Sequence, residues 1–148
     1  MSALHLAKPA DLERLSALVK GFDEETEQPR DQDQRRAALM PLLDGVPHGA
    51  IYLIGPARAP MGYVVVSFGW SLELGGMDGR IDQIYLRRAV RRRGIATEVL
   101  TTLPTALANA GVKALHLKVD RDNEAAMRLA AKAKFMSRDD IAFMSKFL

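Results

Sequence analysis

The chain has 148 residues, no cysteine, 48% hydrophobic residues and a formal net charge of +3. These values fit one globular domain with its own core, and they exclude a disulfide framework, a thiol nucleophile and a cysteine-based zinc site. No apolar stretch approaches the roughly 20 residues of a membrane span, and the N-terminus lacks a basic head followed by an apolar run. We therefore expect a single cytoplasmic domain over residues 1–148, without a membrane partner.

The first part of the chain predicts one strand and two helices. Leu4 and Leu6 alternate with polar residues, which predicts a strand over residues 2–7. Apolar residues at helical spacing follow Pro9, and a shorter helix is predicted over residues 31–43. The acidic segment 23–29 between the helices allows two interpretations. It is a solvated helix end and linker, or an acidic lip over a pocket that attracts a cationic amine.

From Gly49 the hydrophobic pattern changes to a period of two, which predicts strands. The expected strands are residues 50–54, residues 62–68 with a continuation over 71–74, and Ile81–Leu86. Gly75–Gly79 is predicted as the hairpin turn before the last of them. Together these segments predict an antiparallel meander over residues 49–86.

A loop with five arginines, residues 87–93, joins the third of these strands to a helix predicted to begin at Gly94 and to end at Gly111. The first N–H groups of a helix lack intrahelical partners, and with the positive end of the helix dipole they favour phosphate. A nucleic-acid patch and a solvated loop are the other interpretations. We favour a phosphate loop because the arginines are confined to one loop and no aromatic cluster accompanies them.

The last part of the chain predicts a strand, a helix and a second strand. Leu115, Leu117 and Val119 alternate, and since their strand follows a helix it should run parallel to the Ile81 strand. Asn123 is a good N-cap for the next helix. Residues 141–148 alternate again and predict a final strand.

The spacing Arg91-x-x-Gly94-x-Ala96 after a strand resembles the coenzyme A loop of the GNAT superfamily of N-acetyltransferases. A second family pattern, Asn-x-x-Ala-x-x-Leu-Tyr-x-x-x-Gly-Phe, is matched by Asn123, Ala126, Leu129 and Phe135. Ala130 stands where that pattern has tyrosine, and Lys134 where it has glycine. The resemblance covers nearly the whole chain. It implies the α/β (α+β) GNAT fold, a mixed, mostly antiparallel sheet of six to seven strands with about four helices on both faces, splayed between the Ile81 and Leu115 strands.

Within this family the chain most resembles small bacterial amine acetyltransferases. The resemblance also implies an activity. The enzyme would transfer an acetyl group from acetyl-CoA, a co-substrate, directly to a primary amine of a small molecule or peptide, without a metal. Loop amides would hold the pyrophosphate, and the backbone of the strand before the loop would pair with the pantetheine arm. The cofactor-binding residues are then Ile84, Tyr85, Leu86, Arg91, Arg92, Arg93, Gly94, Ile95, Ala96, Thr97 and Asn123.

Asp82 is the candidate catalytic base, because diamine acetyltransferases, which this region resembles, carry a glutamate at the matching place. A buried structural carboxylate is an equally weighted interpretation of Asp82, and Glu73 is a second candidate base. By alternation, Tyr85 should lie on the face opposite Asp82, Ile84 and Leu86 and pack in the core.

The missing tyrosine at Ala130 keeps a rival function open, a non-catalytic acetyl-CoA-binding module or sensor. No nucleic-acid partner is expected, and a homodimer is a possible assembly. The acceptor could be a polyamine, an aminoglycoside, an amino acid or a protein N-terminus.

Overall fold

The computed structural model describes residues 3–148. Its strands are β1 (Leu4–Leu6), β2 (Gly49–Ile54), β3 (Gly62–Ser71), β4 (Gly76–Leu86) and β5 (Val112–Leu117). Its α-helices are α1 (Leu12–Glu25), α2 (Gln32–Leu43), α3 (Ile95–Asn109) and α4 (Glu124–Lys132), and short 3₁₀ turns cover Pro9–Asp11 and Arg88–Val90.

The strands form one mixed sheet in the order β1-β2-β3-β4-β5. The first four strands pair antiparallel, and β5 pairs parallel to β4, as predicted. The pairing of β4 with β5 ends where Ile81 lies opposite Leu117, although β4 continues to Leu86. A crevice therefore opens between the two strands beyond this point, and it leaves one backbone edge of β4 without a neighbouring strand.

The helices bury their apolar faces against opposite sides of the sheet. One core cluster joins α1 and α2 to β2 and β3 and includes Leu15, Leu53 and Tyr63, each fully buried. The other joins α3 to β3, β4 and β5 and includes Leu103, Val64 and Val66. α4 packs beside α3. The sheet thus separates a face covered by α1 and α2 from a face covered by α3 and α4.

The expected count of six to seven strands is wrong, since the described residues contain five. The predicted final strand over residues 141–148 is not formed, and all of those residues are exposed. Alternation makes a segment fit for a strand, but a strand exists only when its backbone groups pair with a neighbour. Residues 141–148 were expected to form a strand, but they pair with no strand among the described residues.

Some predicted boundaries also shift. The hairpin turn before β4 lies at residues 72–75, so Gly76–Gly79 belong to the strand and not to the turn. The helix after the arginine loop ends at Asn109, as expected from Gly111, and β5 ends before Val119. The first predicted strand includes Ser2, which lies outside the described residues, and β1 covers only Leu4–Leu6.

Candidate active site

The arginine loop turns sharply into α3 through backbone conformations that leave its amide groups available. Gly94 is the N-cap residue with φ +77°, a left-handed conformation that favours glycine. No side chain caps this helix, and the first helical bond runs from the N–H of Glu98 to the carbonyl of Gly94. The N–H groups of Ile95, Ala96 and Thr97 therefore have no partner within the helix.

The space in front of this turn is open. A Cβ atom built on Gly94 would meet no heavy atom within 4 Å. Arg92 also has a positive φ, 64°, and the side chains of Arg92 and Arg93 are exposed. Among the contacts of the described residues, none involves either guanidinium. The loop therefore offers backbone donors and two available cations to an anionic group.

Arg91 differs from its neighbours because its side chain is already engaged. Its Nε donates to the carbonyl oxygen of Leu86 at 2.8 Å, and its Nη2 donates to Oε2 of Glu25 on α1 at 2.8 Å. The guanidinium also lies 5.5 Å from the ring centroid of Tyr85. The hydrogen bond from Arg91 holds the pKa of Glu25 below its usual value, and Glu25 in turn raises the pKa of Arg91. Arg91 therefore fixes the loop against α1.

The side chains of residues 84–86 belong to the two cores. Tyr85 is partly buried and packs against Tyr63 and Phe22, with ring centroids 5.8 Å and 6.2 Å away, so it packs against the core as predicted. Burial, and then the hydrogen bond with Glu25, raise the pKa of Tyr85. Ile84 and Leu86 pack against the core on the α3 face. Only the backbone of this part of β4 thus remains to line the crevice.

Asp82 is the extra residue of a β-bulge. Val65 pairs with Gln83 and Val66 pairs with Ile81, so Asp82 has no opposite residue on β3. A bulge shifts the alternation of side chains by one position. The expectation that Asp82 shares a face with Ile84 and Leu86 is therefore wrong, because Asp82 and Gln83 line the same cavity on the α2 face. Strict alternation assumes unbroken pairing, and the bulge breaks it.

This small cavity has a volume of about 200 Å³ and lies between α1, α2 and the sheet. Aliphatic side chains form most of its wall, and its polar lining residues are Arg30, Arg35, Asp82 and Gln83. The Gln83 side chain is oriented by Tyr63, whose hydroxyl donates to Oε1 at 2.9 Å, and burial raises the pKa of that tyrosine. The Asp82 carboxylate is about half exposed and lies 3.6 Å from Nε of Arg80.

The acidic segment 23–29, whose first three residues end α1, is not simply a solvated linker. Asp23 is 2% exposed, and it accepts hydrogen bonds from Arg30 at 2.6 Å and 3.2 Å. Glu25 pairs with Arg91, while Glu24 and Glu27 are exposed. Sequence reasoning missed Arg30 and Arg35 as cavity residues, because a hydrophobic pattern gives no signal for a buried ion pair. Asp23 therefore holds Arg30 beside the small cavity.

A larger cavity, about 1120 Å³, lies on the other face between β5, α4 and the C-terminal segment. Ser67 and Ala130 line it, whereas Asp82 and the loop residues do not. Asn123 lies at the start of α4, where its Oδ1 accepts from the N–H of Ala126 at 3.1 Å, as its N-cap role predicts. Glu73 is exposed in the turn before β4 and lines neither of these two cavities.

A sequence model described as the acetyltransferase (GNAT) family matches residues 12–135. The chain belongs to the GNAT acetyltransferase family. It is therefore an acetyltransferase, and acetyl-CoA is the acetyl donor that this family uses. A comparison with curated protein sequences gives no match.

Solved structures share this GNAT fold over nearly their full length. An integron cassette protein from the mobile metagenome of Cole Harbour Salt Marsh is 25% identical, with a TM-score of 0.84 over 98% of this chain and 90% of that one. A possible acetyltransferase from Clostridium difficile 630 is 17% identical, with a TM-score of 0.86 over 100% and 99%. AAC(6')-Iy, in complex with the bisubstrate analog CoA-S-monomethyl-acetylneamine, is 16% identical, with a TM-score of 0.78 over 100% and 99%.

Two further properties concern residues 3–148 of this GNAT protein. None of the helices described there is both long and apolar enough to cross a membrane. Within the same residues, no group of three or more His, Cys, Asp or Glu side chains is arranged to hold a metal ion.

Proposed function

We propose that this protein transfers an acetyl group from acetyl-CoA directly to a primary amine of a small molecule or peptide, with Asp82 as the base. The position of Asp82 carries the proposal. Asp82 lines the small cavity and directly follows Ile81, the last residue of β4 that pairs with β5. A base at this position of the chain would stand between the cavity and the start of the crevice.

The residues around the crevice fit the cofactor. The N–H groups from Arg92 to Thr97 would hold the pyrophosphate, because the turn at Gly94 is open and uncapped. The Arg92 and Arg93 side chains would contact the ribose phosphate, and Arg91 would position the loop. The β4 backbone over Ile84–Leu86 would pair with the pantetheine arm. Asn123 would contribute by fixing the start of α4 beside the crevice.

The chemistry demands little of the protein beyond position and one proton acceptor. The amine must be neutral to react, so Asp82, or a water molecule bound to it, accepts the amine proton. The amine nitrogen then forms a bond to the acetyl carbon, the carbon–sulfur bond breaks, and the nitrogen releases its surplus proton to water to give the neutral amide. The thioester oxygen needs a donor, for which the N–H of Ile84 is the candidate. Solvent returns a proton to the leaving thiolate, since Ala130 has no hydroxyl group.

A non-catalytic acetyl-CoA-binding module is the rival function, and Ala130 is the observation that favours it. Thiol release from acetyl-CoA, followed with a panel of polyamines, aminoglycosides, amino acids and peptides, separates the two functions. We expect release with at least one amine. Tight binding of acetyl-CoA without release for any amine would support the module instead.

The cofactor site is tested by Gly94→Glu, which places a side chain and a negative charge where the phosphates would lie. Calorimetry should show a loss of CoA affinity of at least about 100-fold, because one close charge pair alone is worth several kcal/mol in a partly buried site. Gly75→Glu is the matched control, because Gly75 also has a positive φ, 67°, and a Cβ atom built on it would likewise meet nothing within 4 Å. Equal CoA binding by both variants would place the site elsewhere.

A homodimer is supported by two unpaired features of the same chain. β5 forms an edge of the sheet, and residues 141–148 belong to no strand while Phe143 and Phe147 are 64% and 96% exposed. An edge strand offers unpaired backbone groups to a further strand. Light scattering should give a dimer mass that falls to the monomer mass in Phe143→Ser/Phe147→Ser, and a monomeric wild type would contradict the proposal.

A further inference from the structure

The small cavity on the α2 face contains an arginine whose hydrogen bonding is incomplete. Arg35 is 8% exposed, and its Nε is buried without a hydrogen-bond partner among the described residues. Its Nη1 donates to the carbonyl oxygen of Arg30 at 2.7 Å. Nearly all buried polar groups in native proteins have a partner, so a buried cationic donor without one indicates a missing acceptor.

The charges around Arg35 do not balance. Arg30 and Arg35 share one carboxylate, that of Asp23. Arg30 takes the close interaction, with Nη2 2.6 Å from Oδ1, whereas Nη1 of Arg35 is 3.7 Å from Oδ2. Among these three groups, one positive charge is therefore left over beside the cavity. Burial makes such a charge costly and gives it a strong preference for an anion.

The opposite sign of charge lies on a different wall of the same cavity. Asp82 comes from β4, whereas Arg35 comes from the first turns of α2. Arg30, Gln83 and aliphatic side chains from α1, α2, β2 and β3 form the rest of the lining. The cavity thus offers a carboxylate for an amine, a guanidinium for an anion and an apolar surface between them.

We propose that the acceptor is a small amine that also carries a free carboxylate, of the size of an amino acid, and that Arg35 binds this carboxylate. The inference rests on the proposed acetyl transfer and names its substrate class. The planar guanidinium suits a carboxylate because it can donate two parallel hydrogen bonds to the carboxylate oxygens. A volume of about 200 Å³ excludes a large acceptor from complete burial. A polycation would place further positive charge beside Arg30 and Arg35.

The test compares amines that differ only in the anionic group. Thiol release from acetyl-CoA is measured with alanine, leucine and methionine, with their carboxamides, and with phosphoethanolamine and ethanolamine. For at least one amino acid, kcat/KM should exceed that of its carboxamide about 30-fold, the size expected for hydrogen bonds to a charged group. The difference should lie in KM, since the carboxylate is bound equally before and during the reaction.

Variants of adjacent arginines on α2 assign the effect to Arg35. Arg35→Met should remove the preference for the free acid, because kcat/KM for the acid falls about 30-fold to the level of its carboxamide. Arg35→Lys, which keeps the charge and the hydrogen bond to Arg30, should retain part of the preference if Arg35→Met does not fold. Arg36→Met is the control, because Arg36 pairs with Glu13 at 2.7 Å and does not line the cavity.

The outcomes separate this inference from the proposed function. No thiol release with any amine overturns both. Release with equal kcat/KM for acids and carboxamides, or with polyamines or aminoglycosides alone, overturns the carboxylate inference and leaves acetyl transfer intact. A preference for phosphoethanolamine over every amino acid overturns the choice of carboxylate over phosphate. An unchanged acid preference in Arg35→Met overturns the role of Arg35.

Discussion

The two cavities on either side of β4 differ in size and in chemistry. The large one, about 1120 Å³, borders the C-terminal segment, where no strand has formed. The small one, about 200 Å³, lies between regular helices and strands and contains a buried arginine and the bulged Asp82. The volume of the large cavity reflects the C-terminal segment, which forms no strand. The small cavity instead contains buried charge, which a folded structure keeps only at a cost in free energy. We therefore assign acceptor recognition to the smaller cavity.

The largest expected effect comes from replacing the Asp82 carboxylate of β4 with an amide. The same replacement at another carboxylate of β4 serves for comparison. Asp82→Asn removes the proposed base from the small cavity, and kcat near neutral pH should fall about 100-fold, with partial recovery at higher pH where more of the amine is neutral. Asp78→Asn is the control in the large cavity, where Asp78 lies 3.2 Å from Nε2 of His116. Rates measured from about pH 6 to about pH 10 decide the comparison, and equal rates for both variants would remove Asp82 from the mechanism.

A second effect comes from filling each cavity with the same side chain. Ala38 on α2 lines the small cavity and Ala131 on α4 lines the large one, and both are exposed helical positions where leucine is well tolerated. Ala38→Leu should raise the KM for the acceptor about tenfold, since poor fit in a small apolar site costs about 1–3 kcal/mol. Ala131→Leu should leave that KM unchanged. The reverse pattern in steady-state kinetics would move the acceptor to the large cavity.

A smaller effect is expected from a substitution at Ala130, the position where the family pattern has tyrosine. Ala130 is 8% exposed and lines the large cavity, which leaves room for the new ring. Ala130→Tyr should change kcat less than about threefold, because a thiol with a pKa of about 8.5 leaves as thiolate near neutral pH without an acid. Thermal unfolding must first show that the variant is as stable as wild type. A large increase in kcat would mean that thiolate departure limits the natural enzyme.

The smallest effect concerns the contact between Glu25 and Arg91, on the same face as the small cavity. Arg91 lowers the pKa of Glu25 below its ordinary value of 4.5, so the pair stabilises the fold at neutral pH and loses this contribution as pH falls through the lowered pKa. Both side chains are partly exposed, so Glu25→Gln should lower the free energy of unfolding by only about 0.5 kcal/mol at pH 7. Urea unfolding should show the difference between variant and wild type shrink as pH falls further below 4.5, and a difference that stays constant into acid would exclude the ion pair as its cause.

Sequence patterns predicted the features of this molecule that depend on local chain geometry. The strand before Arg87, the turn at Gly94 and the cap at Asn123 each follow from a few consecutive residues, and the structure has them. The parallel pairing of β5 followed from chain connectivity, since a helix precedes that strand.

The features that escaped prediction depend on residues far apart in the chain. The bulge at Asp82 depends on how β3 pairs, and the missing final strand depends on a partner that the segment does not have. The burial of Asp23 and Arg35 depends on their meeting between two helices, and charged residues taken singly are normally predicted to be exposed. These same features determine the chemistry of the small cavity.

The triple anchoring of Arg91 has a consequence for how fast the cofactor binds. The carbonyl oxygen of Leu86, the carboxylate of Glu25 and the ring of Tyr85 all hold this side chain without any contribution from a ligand. The entropic cost of ordering the start of the loop thus arises during folding and not when the cofactor binds. Stopped-flow traces should therefore show a single phase whose rate rises linearly with CoA concentration, without a plateau set by loop rearrangement.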